Sequence, residues 1–464
     1  MNTDHLTIDY DLEMLKKRRP WYYVALILFL LSLLIHQPVG FLAALFALVV
    51  GLVPNLWYRH ALHHLVVRQQ ASQQHLFFGE EVTLSISIEN QKLLPLPWLQ
   101  VENPITPPLA IVSRRVSRLQ RVPQDALAST WLFWSFQRVT RHYRMLCQTR
   151  GYHVFGPVRL SSSDPFGWLE CELTLPVKET LLVYPLIAPL ETLGLSSVHP
   201  LGEYTSSRRF LEDPLRIAGV RDYLLGDDPR RIHWKATARA GALQSKIYEP
   251  STLRRFLVLL DTWNYSHILK AADPEIQEFS ITVAASFAVW ALDEGYTVGL
   301  LTNSSMATSA TENTLLPATR EDSVPTGVAT VTSISPPGVR VPFSRDHGQY
   351  ERLLSTLARL VPAAHTPIER CIEMEDTMFP PGTTVILVSA ASTLNEATVE
   401  RLLDLRRGGV AVHLALTGNT ENTKTETYDL PIHFLGGREK WHELIRTVGD
   451  GGVPGTSSTS LQLD

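Results

Sequence analysis

Phe256-Leu257-Val258-Leu259-Leu260-Asp261 is an unbroken apolar run that closes on an acid. A strand with one wet face alternates polar and apolar residues, whereas a continuous run belongs to a strand covered on both faces, as in a parallel sheet. The chain that follows keeps the matching rhythm. Ile276–Asp293 carries Phe279, Val283, Phe287 and Trp290 at helical spacing, and Thr297–Leu301 is a second short apolar strand. Tyr350–Leu360 reads as a helix with Leu353, Leu354 and Leu357 on one side, and strands over Val385–Ser389 and Val410–Leu416 enclose a helix over Asn395–Arg406. This alternation predicts a parallel α/β sheet with helices on both faces, over 254–448. Ligands of such sheets sit beyond the carboxyl ends of the strands, which is where this order puts Asp261. Residues 303–342 interrupt the alternation with 13 Ser/Thr and five Pro, and read as a long mobile insertion.

The segment before it, 191–253, is dense in charge: 202–250 holds nine Lys/Arg and seven Asp/Glu. The signs are mixed, so internal ion pairs fit as well as a binding face does. At its centre stands Gly226-Asp227-Asp228-Pro229-Arg230-Arg231-Ile232-His233-Trp234-Lys235-Ala236-Thr237-Ala238-Arg239. Asp228 suits an N-cap, Pro229 the first helical position and Gly241 the left-handed residue past the end. Together they predict one capped helix of about three turns over 229–240.

This run, followed by Tyr248-Glu249 and the strand ending in Asp261, resembles the signature of domain-of-unknown-function family 58. Arg150-Gly151-Tyr152 with Gly156-Pro157, then Asp164-Pro165-Phe166-Gly167, then Val183-Tyr184-Pro185 stand in the order that family shows, so the resemblance covers about 20–448. It implies a von Willebrand factor A-like part, an N-terminal membrane hairpin and an association with MoxR-type AAA+ ATPases in protein maturation or complex assembly. The implied role is a scaffold or adaptor. Asp227, Asp228, Arg230, His233, Trp234, Lys235 and Arg239 would dock a partner or join the chain's units. In von Willebrand A domains a D-x-S-x-S loop helps to bind a divalent cation. Here the loop is Asp261-Thr262-Trp263-Asn264-Tyr265, and the later loop Val388-Ser389-Ala390-Ala391-Ser392 has no carboxylate. A hard cation such as Mg²⁺ wants an octahedron of oxygen ligands, so Asp261 reads as the remnant of a metal site. It is expected to cap a helix, pair with a basic residue or bind a partner without metal.

Residues 65–190 read differently. Val82, Leu84, Ile86 and Ile88 alternate with Thr83, Ser85 and Ser87, a strand with one buried face. Further strands over Trp131–Val139, Tyr143–Thr149, His153–Leu160 and Thr180–Tyr184, with Pro-rich turns between, predict a small β-sandwich. Before it, the 39 residues Pro20–Tyr58 contain no Lys, Arg, Asp or Glu. One helical crossing needs about 20 residues, and His36-Gln37-Pro38-Val39-Gly40 breaks the run, so it predicts two membrane helices, 21–36 and 39–58. Lys16-Lys17-Arg18-Arg19 precede the run and Arg59 and Arg68 follow it, which predicts a multi-pass cell-membrane protein with both termini cytoplasmic. A cleaved signal peptide shares the basic–apolar order, but this run is too long. His60, His63 and His64 would share one helical face just beyond the second span. The tails are 1–19, cytoplasmic, and 449–464, disordered.

Several classes are disfavoured. With 42 Lys+Arg against 46 Asp+Glu the chain lacks the basic footprint of a nucleic-acid binder. Cys147, Cys171 and Cys371 are odd in number and scattered, unlike a disulfide framework or a zinc cluster. There is no P-loop, H-E-x-x-H or G-x-S-x-G motif. No cofactor or metal is expected; the expected partners are a AAA+ ATPase, the lipid bilayer and a second copy of the chain. Two other readings stand beside the scaffold: a membrane-associated hydrolase using Asp227, Asp228 and His233, and a purely structural envelope protein.

Overall fold

A computed structural model describes residues 60–112, 123–163, 170–195, 212–224, 227–250, 254–262, 265–266, 271–307, 338–364, 366–418 and 430–449, with eight isolated positions before them. Those eight are Tyr23, Leu26, Ile27, Leu30, Leu42, Leu45, Phe46 and Trp57; all are helical, and all but Trp57 are exposed. The hairpin expected over 20–58 therefore lies almost wholly outside the described residues, as do the tails 1–19 and 450–464. Among the described residues no helix is long and apolar enough to cross a membrane. The chain divides into two compact units, Met1–Pro185 and Leu186–Asp464.

The first unit is built of β1 (Leu65–Ala71), β2 (His75–Leu76), β3 (Glu81–Asn90), β4 (Leu96–Val112), β5 (Pro123–Phe133), β6 (Arg138–Leu146), β7 (Gly151–Phe155), β8 (Val158–Ser163), β9 (Glu170–Leu175) and β10 (Glu179–Val183). The path of neighbours is β1-β3-β6-β4-β7-β10-β2, with β5 and β8 also on β4, and β9 on β8. The period of two in β3 does what it predicts: Val82, Leu84, Ile86 and Ile88 are fully buried in one core with Leu65, Trp131, Phe133 and Phe155. β4 makes the corner between the two sheets. It pairs β8 at Gln100–Glu102, β7 at Ile105–Thr106 and β6 at Ala110–Val112. Its register against β5 slips between Pro104 and Leu109. Such an irregularity bends a strand and lets it serve two sheets.

Two expected strands are corrected. Trp131–Val139 is the end of β5, a turn at Trp134–Gln137 and the start of β6. The turn holds no Gly, Pro, Asn or Asp to mark it, and Phe136 takes the left-handed conformation (φ 57) itself. His153–Leu160 is interrupted at Gly156-Pro157, where Gly156 has φ 105.

One end of this unit is fastened by a lysine. Helical geometry runs into it from the N-terminal side: Ala61 N–H bonds Trp57 O (2.7 Å), and Trp57, Ala61 and Leu62 join the core. The chain then turns, with His64 at φ 52, so His60, His63 and His64 are not stacked on one helix face as expected. Lys92 is buried and donates Nζ to Ala61 O and, at 2.7 Å, to His63 O. Carbonyls at the end of a helical turn lack partners and carry negative charge, so a cation suits them. Burial pushes the Lys92 ammonium down to about 7. Lys92 thus binds its proton less tightly folded than unfolded, and the unfolded chain holds more protons between about pH 7 and the ordinary 10.5. Stability of the β unit should rise by a few kcal/mol as pH increases through that window, and the gain should vanish below it. Thermal melts from pH 6.5 to 10 test this. Lys92→Met should flatten the profile, and an unchanged slope in that variant would refute the assignment.

The second unit opens with Leu186, Ala188, Leu190 and Leu193, all buried. Ala188 N–H bonds Ser286 Oγ (2.9 Å), so this strap belongs to the α/β unit, and the β unit ends at 185 instead of 190. Next come β11 (Glu212–Asp222), α1 (Trp234–Ala240) and β12 (Gln244–Pro250), with β11 and β12 antiparallel. The large sheet draws on β13 (Arg255–Leu260), β16 (Thr297–Thr302), β18 (Val339–Ser344), β20 (Thr383–Ala390), β21 (Ala411–Thr417) and β22 (Ile432–Phe434). Small pairs flank it: β14 (Tyr265–Ser266) with β15 (Ala271–Ala272), and β17 (Ser304–Met306) with β19 (Leu360–Ala364). The sheet order is β18-β16-β13-β20-β21-β22, parallel throughout except for β18, antiparallel at the edge. The helices are α2 (Pro274–Asp293), α3 (Gln349–Arg359), α4 (Ile368–Met374), α5 (Glu396–Arg407) and α6 (Arg438–Gly449). The predicted α/β alternation thus holds. Both flanks of the expected 303–342 insertion are strands, β17 and β18, while 308–337 lies outside the described residues.

Candidate functional site

The charged segment between β11 and β12 is shaped by its own side chains. Asp228 Oδ1 accepts from Arg230 N (3.0 Å), the expected N-cap, with Pro229 behind it. The helix it starts is only one 3₁₀ turn, Pro229–Arg231. Ile232 is extended and bridges Ser245, and His233 N–H bonds Gln244 O (2.8 Å). The chain restarts as α1, whose N-cap is His233: its Nδ1 accepts from Ala236 N (3.0 Å). The single helix expected over 229–240 is therefore two pieces, because pairing with β12 draws Ile232 and His233 out of helical geometry. Gly241 closes α1 in the left-handed conformation (φ 67), as expected.

Asp227 is held differently. Its Oδ1 accepts from Arg221 Nη2 (2.6 Å), its Oδ2 from Leu224 N (3.1 Å), and its carbonyl from Tyr223 Oη (2.8 Å). The Arg221 guanidinium, then the Leu224 N–H, hold the carboxyl below the usual carboxylate range. Asp227, Asp228 and His233 thus hydrogen-bond to three different sets of partners. An Nδ1 that accepts from a backbone N–H is occupied as a helix cap. These contacts shape a loop; a nucleophile–base pair would need its members in mutual reach.

What this framework displays is the rest of the run. Neither Pro229–Arg231 nor α1 contains a buried residue. Trp234 is 69% exposed, and Arg230, Lys235 and Arg239 are exposed with it. Exposed indole beside guanidinium and ammonium groups is the composition of interface hot spots.

The second cluster lies at the carboxyl edge of the large sheet. Asp261 follows β13, is 7% exposed, and accepts from Asn303 Nδ2 at Oδ1 (2.8 Å) and from Ser389 Oγ at Oδ2 (2.9 Å). Asn303 Oδ1 in turn accepts from Thr262 N (2.9 Å) and Thr262 Oγ1 (3.0 Å). Ser280 Oγ on α2 meets Thr417 Oγ1 at the end of β21 (2.7 Å). Asp261 is thus at the edge where the sequence put it, bonded to an amide and a hydroxyl. No local motif marks Asn303 or Ser389 as its partner, although each stands where an apolar strand ends. Among the described residues no group of three or more His, Cys, Asp or Glu could hold a metal.

Residues 219–323 match the model of a family described as a protein of unknown function, DUF58. An uncharacterised protein, YeaD, from Bacillus subtilis (strain 168) is 23% identical over 214 residues, 44% of this chain and 50% of that protein. The chain thus spans about half the length of this curated relative. Solved structures resemble it only in part. A CARDB domain from Pyrococcus furiosus aligns with 26% of this chain and 91% of its own at 9% identity and a TM-score of 0.17. The sporulation control protein Spo0M of Bacillus subtilis aligns with 30% and 56% at 11% identity and a TM-score of 0.18. Likeness at that level carries no functional argument.

Proposed function

We propose that this protein is a membrane-anchored scaffold whose body docks a partner protein through the 227–240 segment, the partner being a MoxR-type AAA+ ATPase. The observation that carries the reading is the division of labour within that segment. Asp227, Asp228 and His233 hold its shape, while Trp234, Lys235, Arg230 and Arg239 stand in solvent. The uncharged run Pro20–Tyr58 supports the anchor, and the basic residues around it support cytoplasmic termini. The parallel sheet with Asp261 at its carboxyl edge supports a von Willebrand A-like origin for the α/β unit. The identity of the partner rests on the family resemblance.

The test is cross-linking and affinity purification of the tagged full-length protein from its native membranes, beside Lys235→Glu/Arg239→Glu. The ATPase should come with the wild type and be lost from the variant. Trp234→Ala should weaken capture by about 2 kcal/mol, roughly 30-fold. Equal recovery by all three would move the docking face elsewhere. Recovery of no ATPase by the folded wild type would end the scaffold reading.

A further inference from the structure

The β unit carries an apolar patch at one end that its own fold leaves uncovered. Leu93 is 75% exposed, Trp134 68%, Phe136 67% and Leu132 54%. Strand register puts them together. Leu65 pairs Asn90, Glu89 pairs Arg138, and Leu96 pairs Phe133, so the start of β1, the end of β3, the starts of β4 and β6 and the end of β5 share one end of the sheet. The β3–β4 loop carries Leu93, and the β5–β6 turn carries Trp134 and Phe136. The two are tied to each other: Phe136 N–H bonds Lys92 O (3.2 Å), Ser135 Oγ bonds Leu93 O, and Asn90 Nδ2 bridges Leu94 O (3.0 Å) and Trp134 O (3.1 Å). The apolar tips are therefore held in place by buried and backbone groups, and the rings themselves project outward.

Neither packing nor turn chemistry explains these residues. Phe136 occupies a left-handed position that a bulky side chain adopts at a cost and that Gly or Asn would fill more easily. The same end of the unit also receives the chain from the uncharged run. Lys92, next to Leu93, binds Ala61 O and His63 O, and only Arg59 and His60 separate Ala61 from Tyr58, where that run ends. Even fully extended, three residue steps span at most about 11 Å. A bilayer holding residues 39–58 would have its headgroup zone at the level of the patch.

We infer that Leu93, Trp134 and Phe136, with Leu132 beside them, insert into the headgroup–acyl boundary of the bilayer in which the chain is anchored, and so fix the β unit's tilt on the membrane. The inference rests on the anchoring proposed above and adds a second contact to it. Trp and Phe suit that boundary because their rings are apolar while the zone remains partly wet. A single flexible tether would leave the unit free to swivel; two contacts at one end do not.

The native thiols leave room for a direct test. Cys147, Cys171 and Cys371 are buried, and burial pushes them up to about 12, 12 and 11, so they react poorly with maleimides. Full-length protein carrying Phe136→Cys, Leu93→Cys or, as the control, Gln73→Cys would take one environment-sensitive fluorophore each. Gln73 is exposed just past the far end of β1, about 20 Å from Leu65 at 3.3 Å per residue. The labelled proteins would be reconstituted into phosphatidylcholine–phosphatidylglycerol vesicles with or without acyl chains brominated near the headgroup, and anchoring scored separately by flotation after carbonate washing. The expected result is flotation of all three, with labels at 136 and 93 quenched by bromine severalfold more than the label at 73. Flotation with equal quenching at all three positions overturns the inference and leaves the anchor standing. Labels at 136 and 93 that turn blue without bromine quenching mean that a second copy or another protein covers the patch, and also overturn it. Loss of flotation removes the anchor and the inference together.

Discussion

Replacing Asn303 by leucine is expected to destabilise the α/β unit by about 3 kcal/mol, because it takes an amide donor from a buried carboxylate and an acceptor from Thr262. Asn303 Nδ2 donates to Asp261 Oδ1, and Asn303 Oδ1 accepts from both Thr262 N and Thr262 Oγ1. Leucine has similar volume and supplies none of these bonds. Ser389 Oγ still donates to the other oxygen. Adding Asp261→Asn removes the charge, so the double variant should cost clearly less than the sum of the two single changes. Hydrogen exchange of β13 and β20 in urea reads the unit on its own. A loss below about 1 kcal/mol for Asn303→Leu would mean that water replaces the amide and that the Asp261 network is solvated.

Gly338→Ala should be nearly as damaging, by about 3 kcal/mol, for a reason of backbone geometry. Gly338 has φ +93, and a Cβ there would stand 2.5 Å from Thr302 O and 3.3 Å from Cys371 Sγ. Alanine must therefore change its backbone angle and push β18 off β16, where Val339 faces Thr302. Expression and exchange of the β16–β18 pair measure the effect. A variant as stable as wild type would show that the 338 end of the insertion is loosely held.

The sequence was most informative where a local rule suffices. The alternation of Val82, Leu84, Ile86 and Ile88, the unbroken run of β13, the Asp228 cap and the Gly241 C-cap all depend on neighbours within a few residues, and all appear as expected. It was silent where distant chain decides. Pro97, Pro104, Pro107 and Pro108 argue against any strand over Leu96–Val112, yet β4 forms there because it bends and changes partners along its length. The break in the 229–240 helix depends on Ser245 and Gln244 in the returning strand. Asn303 and Ser389, which donate to Asp261, lie 42 and 128 residues away from it. The carboxylate's place was legible, but the groups that bind it were not.

The strap that opens the second unit lies outside the stretch that matches a family model. The stretch that matches the family model, 219–323, holds β13 and β16 but neither β20, which flanks β13 on its other side, nor Leu186–Leu193. Thirteen of the twenty residues of α2 are buried, and Ser286 on that helix is bonded by the strap. A fragment cut to 219–323 would leave part of this helix's apolar surface bare, and is expected to aggregate. The matched stretch is thus only part of a compact unit that begins at Leu186, and the contacts that bury α2 come from outside its limits as well as from within.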